Sequence, residues 1–284
     1  MSAAANLGAS IRARLLNQAR AMNVEFGLML TRFALERLLY RLSVSSHRDQ
    51  FVLKGALLFD LWFDEPHRPT RDADLLGFGA PDLSVLEATF REICEIPVAD
   101  GIVFESASVK AVEIRQDANY AGIRLTLMGE LHSARCPVQV DIGFGDAVTP
   151  AAEEADYPAI LADLPAPRLR IYPRYTVIAE KLEAIVSLGM TNSRMKDFFD
   201  LWVLTRQSEL DPSILRQALV ATFSRRGTAL TGNTPTGLSP EFSADVTKLS
   251  QWRAFIAKNK LIASSLEEVV THLRAFFAAA RSSG

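Results

Sequence analysis

The chain has 284 residues, 49% of them hydrophobic and 23% charged, with a formal net charge of -2. These are globular values. They exclude a disordered chain and a protein that coats nucleic acid by bulk charge, and the length suits one large or two modest domains. Two cysteines, Cys94 and Cys136, and four scattered histidines, His47, His67, His132 and His272, make neither a disulfide framework nor a metal-ligand spacing.

In chain order, Ser10 to Ala21 is predicted as an amphipathic helix, with Ile11, Leu15, Leu16 and Ala19 on one side. A second helix is predicted from Phe26 to Leu42. Its broad apolar face is interrupted by Arg32, Glu36, Arg37 and Arg41. A helical pair packed on a sheet is one reading of that pattern; arginines presented to a nucleic acid is the other. Phe51-Val52-Leu53 reads as a strand, Lys54-Gly55-Ala56 as a turn, and Leu57–Phe63 as a helix. A polar loop from Asp64 to Arg71 leads into Asp72-Ala73-Asp74 and a second apolar run, Leu75 to Phe78. The free N–H groups of a helix start bind phosphate. Two aspartates at i and i+2 of a strand share one face. Convergent carboxylates beside a phosphate cradle are what Mg²⁺ takes.

A helix is expected from Pro81 to Cys94. Strands are expected at Ser108–Ile114 and Ile123–Met128, forming a hairpin whose somewhat long loop carries Asp117-Ala118-Asn119. Pro137–Phe144 is the next strand, with Asp141 mid-strand among apolar residues. An unpaired carboxylate is costly there, so Asp141 either has a partner or binds something. The acidic, Ala- and Pro-rich stretch 150–167 is a plausible boundary, and the expected domains are 1–165 and 166–284. Beyond it the pattern is helical: Tyr175–Leu188, Arg194–Thr205, Pro212–Phe223, Ala244–Ala257 and Ser265–Ala279, with a flexible loop at Gly227–Ser239. Lys181 has Val177, Ile178, Ala184 and Ile185 as its helical neighbours, so it snorkels, pairs or meets an anion. Arg168 to Lys196 holds six basic residues against two acidic ones, a place for a triphosphate or an RNA backbone. The predicted fold class is α/β (α+β), with a mixed sheet in the first half and an all-α second half.

Six segments in order, ERLLYRLSVS (36–45), FVLKGALLF (51–59), RPTRDADLLGFG (68–79), NYAGIRLTL (119–127), VQVDIGFGDAVTP (138–150) and AEKLEAIVSLGMTNSRMKDFFDLWVL (179–204), carry a resemblance. The chain resembles the AbiEii-type nucleotidyltransferase toxins of type IV toxin–antitoxin pairs, in the DNA polymerase β-like nucleotidyltransferase superfamily. The resemblance implies a polymerase β-like core completed by the helical C-terminal region. It implies Asp72 and Asp74 as Mg²⁺ ligands, Asp141 as a third acidic member, and Lys54, Gly55 and Ala56 as the phosphate-binding turn. Lys181 would bind the nucleotide phosphates, and Asp197 would be the acidic residue of the last motif, with Arg194 and Lys196 beside it. Arg68 and Thr70 precede the aspartates as in relatives, and Thr70 is a candidate acceptor for self-modification or phosphorylation. The usual Gly-Ser or Gly-Gly turn is Gly55-Ala56 here, so a hydroxyl contact to phosphate is missing.

The implied activity is Mg²⁺-dependent transfer of a nucleoside monophosphate from an NTP to the 3′ end of tRNA. The alternatives are a protein hydroxyl as acceptor, or a non-catalytic nucleotide- or RNA-binding regulator. A cognate antitoxin is the implied protein partner. With no run apolar enough for a signal or membrane helix, a cytoplasmic protein is expected.

Overall fold

The computed structural model describes residues 3–63, 68–117 and 120–282. The chain divides into two compact units, 1–145 with 153–171, and 146–152 with 172–284. The expected division at 165 thus falls inside the first unit's second segment. No helix among the described residues is long and apolar enough to cross a membrane.

The first unit carries α1 (Ala3–Ala21), α2 (Phe26–Val44), β1 (Phe51–Lys54), α3 (Phe59–Trp62), β2 (Ala73–Gly77), α4 (Leu83–Glu95), β3 (Ile102–Asp117), β4 (Tyr120–Leu131), β5 (Ala134–Phe144), β6 (Glu153–Asp156) and β7 (Arg168–Ile171). The strands form one mixed seven-stranded sheet in the order β3-β4-β5-β2-β1-β7-β6. β2 runs parallel to β5 and antiparallel to β1. One face of the sheet is apolar. Leu53, Leu75, Ile123, Leu125, Val140 and Ile142 on it are all buried, as strand alternation requires. Phe51 meets Phe90 of α4 edge-on at 5.6 Å.

The second helix settles the question posed by its arginines. Arg37 is fully buried and donates to Pro165 O, and Arg41 forks onto Asp100 at 2.7 and 3.1 Å. Arg32 pairs with Asp60. The helical pair packs as a structural element, and these side chains are not offered to a nucleic acid.

Several boundaries differ from expectation. α1 begins seven residues earlier than Ser10, and its Gly8 packs closely against the Gly101 carbonyl. The expected helix 57–63 is a 3₁₀ turn, Gly55–Leu58, followed by the single turn of α3. β3 reaches 16 residues, with an irregularity between Glu105 and Lys110 that masked its period from a two-residue count. Asp117 pairs with Tyr120, so the hairpin loop is short; its residues 118–119, like 64–67 of the polar loop, lie outside the described residues. The α4 start is as expected, with Asp82 accepting from the backbone N–H groups of Ser84 and Val85.

The second unit is helical: α5 (Arg174–Leu188), α6 (Met195–Gln207), α7 (Pro212–Arg226), α8 (Pro240–Ala244), α9 (Val246–Asn259) and α10 (Leu266–Ser282). The stretch expected to be flexible, 227–239, ends in a 3₁₀ turn with Gly237 and Leu238 buried. Gly237 seats against the Ile185 carbonyl, where a Cβ would not fit.

Candidate active site

The sheet register assembles the first part of the site. Lys54 pairs with Asp74, Asp74 with Asp141, and Asp141 with Arg124. Residues opposed in register share a face, so these four side chains form one polar row on the face opposite the apolar core. Gly55, next in the chain after Lys54, has φ +76°, and a Cβ there would overlap Asp74 Oδ2. Glycine is thus required twice over, by backbone conformation and by the close seating of the carboxylate. Ala56 follows within the 3₁₀ turn.

Asp72 and Asp74 are half-buried, and Thr70 Oγ1 donates to Asp72 Oδ1 at 2.7 Å. Arg68 is half-buried in the same approach segment. Asp141 is 8% exposed, and Arg124 donates to both of its oxygens, Nε to Oδ1 at 2.8 Å and Nη2 to Oδ2 at 2.7 Å. Asp141 therefore has a partner. The Arg124 guanidinium is raised above its ordinary value by its hydrogen bond to Asp141, with the charges of Asp141, Asp72 and Asp74 adding to it. The three carboxylates and the guanidinium thus share one electrostatic neighbourhood.

The residues fit a hard divalent cation in one particular way. Among the described residues no group of three His, Cys, Asp or Glu side chains is placed to hold a metal. Two same-face carboxylates, Asp72 and Asp74, with substrate phosphate oxygens completing the shell, are a normal Mg²⁺ donor set. The expected third ligand, Asp141, has both oxygens engaged by Arg124.

The second unit holds another constellation. Lys181 Nζ donates to Asp197 Oδ1 and to Asp200 Oδ2, both at 2.8 Å. Arg194 Nε lies 2.9 Å from Asp197 Oδ2. Asp197 and Asp200 are fully buried. Burial pushes the Asp197 carboxyl up, but Lys181 and Arg194 outweigh it and hold the group below the usual carboxylate range. Lys196 points outward and is exposed. Lys181 is thus neither snorkelling nor free; it bridges α5 to α6. Beside it on α5, Glu180 and Glu183 share Arg226 with Asp146, and Thr228 Oγ1 donates to Glu183. The positive excess read along 168–196 is largely compensated: Arg168 pairs with Glu154 and Asp156, and Arg170 donates to Asp49 O.

A family model described as "Nucleotidyl transferase AbiEii toxin, Type IV TA system" matches residues 37–277. The chain belongs to the AbiEii nucleotidyltransferase toxin family. Two solved Helicobacter pylori structures share its fold. One is a proposed nucleotidyltransferase, 17% identical, TM-score 0.51, covering 88% of this chain and 93% of that one. The other is JHP933, 17% identical, TM-score 0.50, covering 94% and 92%. No curated protein matches.

Membership makes this AbiEii chain a nucleotidyltransferase of a toxin–antitoxin family. Sequence reading missed Arg124 and Asp200 as partners within these clusters. Arg124 was legible only as the out-of-phase residue between Ile123 and Leu125. Asp200 stands three residues after Asp197, one helical turn along the same side of α6.

Proposed function

We propose that this AbiEii-family protein transfers a nucleoside monophosphate from an NTP to the 3′ end of tRNA in the cytoplasm, with Mg²⁺, releasing pyrophosphate. The observation that carries the proposal is the in-register row of Lys54, Asp74 and Asp141 seated against the positive-φ turn at Gly55. Asp72 and Asp74 would hold the metal. Bound there, Mg²⁺ would supply positive charge to the phosphoryl group in transfer. Backbone N–H groups of the Gly55-Ala56 turn would face the phosphates. Lys54, Arg68, Arg194 and Lys196 would add positive charge for the triphosphate. Asp197 and Asp200 fix the position of the Lys181 ammonium, which would bind phosphate oxygens. Arg124 and Asp141 would set the electrostatics behind the aspartates. In the reaction the 3′-hydroxyl oxygen bonds to the α-phosphorus, and the bond from that phosphorus to the bridging oxygen of the β-phosphate breaks. Pyrophosphate leaves, and the hydroxyl proton passes to water or a carboxylate.

A protein hydroxyl is the second reading, favoured by one contact: Thr70 Oγ1 lies 2.7 Å from Asp72 Oδ1. A hydroxyl bonded to a metal-binding carboxylate is positioned to be modified. A cognate antitoxin, the partner that type IV pairs imply, would silence the enzyme.

Incubation with Mg²⁺, total tRNA and each α-labelled NTP in turn, resolving RNA from protein, separates the readings. Label on tRNA supports the proposal. Label on protein alone, lost in Thr70→Val, replaces it with the second reading.

A further inference from the structure

We propose that Lys248 of α9 is a positioning residue for Arg194: it fixes the turn from which Arg194 reaches the nucleotide phosphates. This rests on the nucleotidyl-transfer reading above, in which Arg194 adds positive charge for the triphosphate. It extends that reading to a residue outside every segment that carries the resemblance. Lys248 is 6% exposed. Its ammonium donates to Asn192 O at 2.8 Å and lies 5.4 Å from the centroid of the Phe242 ring. Among the described residues no carboxylate pairs with that ammonium. Lys248 also stands in the first turn of α9, where Asp245 caps the helix by accepting from the Lys248 backbone N–H at 3.0 Å. A buried cation without a counter-charge is costly, and the first turn of a helix is where a cation is least favoured. A methionine of similar length would avoid both penalties. What the lysine adds is a charged donor that reaches the Asn192 carbonyl.

Asn192 is fully buried. Its backbone N–H donates to Gly189 O at 3.2 Å, its carbonyl accepts from Lys248, and its Oδ1 accepts from the Arg194 N–H at 2.8 Å. Its Nδ2 has no acceptor among the described residues. A cation without a counter-charge, a cation at a helix start and an unsatisfied amide thus meet at one turn, and such departures from local economy gather at functional sites. From Asn192 the contacts run on to the groups assigned to the phosphates. Arg194 Nε lies 2.9 Å from Asp197 Oδ2, and Asp197 Oδ1 accepts from Lys181 at 2.8 Å. Phe242 adds a second tie, its ring stacking at 5.0 Å on Phe198, the residue after Asp197. All of these residues belong to the second unit. The Arg194 side chain keeps 37% of its surface exposed, while Lys248 is buried. Lys248 therefore acts through Asn192 and Arg194 and does not itself touch phosphate.

The test is calorimetric binding of the α,β-methylene analogue of each NTP, with Mg²⁺, to the full chain. These analogues cannot be cleaved between the α- and β-phosphorus, so the identity of the acceptor does not enter. Lys248→Met should weaken binding about tenfold, the scale of one hydrogen bond to a charged group, and should melt within a few degrees of wild type. Asn192→Ala, which cuts the next link, should give a similar loss. The decisive arm is the cycle with Arg194→Met: once Arg194 is gone, Lys248→Met should cost nothing further. Lys258→Met removes the same charge from an exposed position of α9 and should bind like wild type. In steady-state transfer the Lys248→Met loss should appear in KM for the NTP, with kcat kept within about threefold. Tight binding by Lys248→Met, a loss that adds to that of Arg194→Met, an equal loss in Lys258→Met, or an unfolded Lys248→Met protein would each overturn the role. Wild type that binds none of the analogues would remove the nucleotide site itself, and this role with it. Wild type that binds them, with the cycle as expected, yet labels no tRNA would leave the role standing and remove the tRNA reaction.

Discussion

At Gly55 one hydrogen in place of a side chain decides whether Asp74 can occupy its position. Gly55→Ala would add a Cβ into Asp74 Oδ2 and force a side chain to φ +76°. Strain of that kind costs about 1–3 kcal/mol. The expected outcome is a folded protein, melting a few degrees lower, whose nucleotidyl transfer falls well below wild type; unchanged turnover would show that Asp74 need not sit there. The Asp141–Arg124 fork gives a second test. Arg124→Met would leave a buried carboxylate without its donors, and urea unfolding should show a loss toward the lower end of about 1–3 kcal/mol, since the arginine is partly exposed. Adding Asp141→Asn should recover part of it. At this scale the sequence was informative where chemistry is local. The i, i+2 spacing placed Asp72 and Asp74 on one face, and burial economics required something of Asp141. Arg124 was not legible, because its partner lies 17 residues away and only the hairpin register brings them together.

At the scale of elements, ion clusters tie helices to one another and to the sheet. Arg41 of α2 and Asp100 are both buried, at 3% and 0% exposure. Arg41→Met would strand the Asp100 carboxylate and should cost about 3–5 kcal/mol in denaturant unfolding. In the second unit, Lys181 of α5 is held by Asp197 and Asp200 of α6. The folded Asp197 carboxyl lies below its ordinary value, so its contribution to stability is present above the ordinary carboxylate range, about 3.9. It is lost as pH falls through the lower folded value. Urea midpoints of wild type should therefore drop between about pH 5 and pH 2, and Asp197→Asn should flatten that part of the profile. A profile as steep in the variant as in wild type would remove Asp197 from the account. Element type was largely readable from periodicity, and both predicted helix faces of the first 42 residues pack as such. Lengths were not readable. The break between Glu105 and Lys110 interrupts the alternation of β3, and the turn at Gly55 tightens into 3₁₀ geometry that apolar spacing does not distinguish from an α-helix.

For the whole molecule, a slightly negative chain excluded bulk attraction to nucleic acid, and the structure locates its cations one by one. Among the described residues Arg32, Arg41, Arg124 and Arg226 each face a carboxylate. The family match, over residues 37–277, takes in residues of both units. Neither composition nor periodicity distinguishes a nucleotide from an RNA end, so the acceptor had to come from resemblance. Removing divalent metal with EDTA should abolish transfer, and Mg²⁺ in excess should restore it; activity that survives chelation would contradict the two-carboxylate metal site. The most direct test of the central claim is pyrophosphate release with NTP, Mg²⁺ and tRNA by wild type and by Asp74→Asn, which preserves the shape seated against Gly55. With melting temperatures matched, the account predicts a loss of at least about a hundredfold in the variant, the scale on which removal of one electrostatic group costs a catalytic centre. An Asp74→Asn protein that melts like wild type and releases pyrophosphate at the wild-type rate would contradict it.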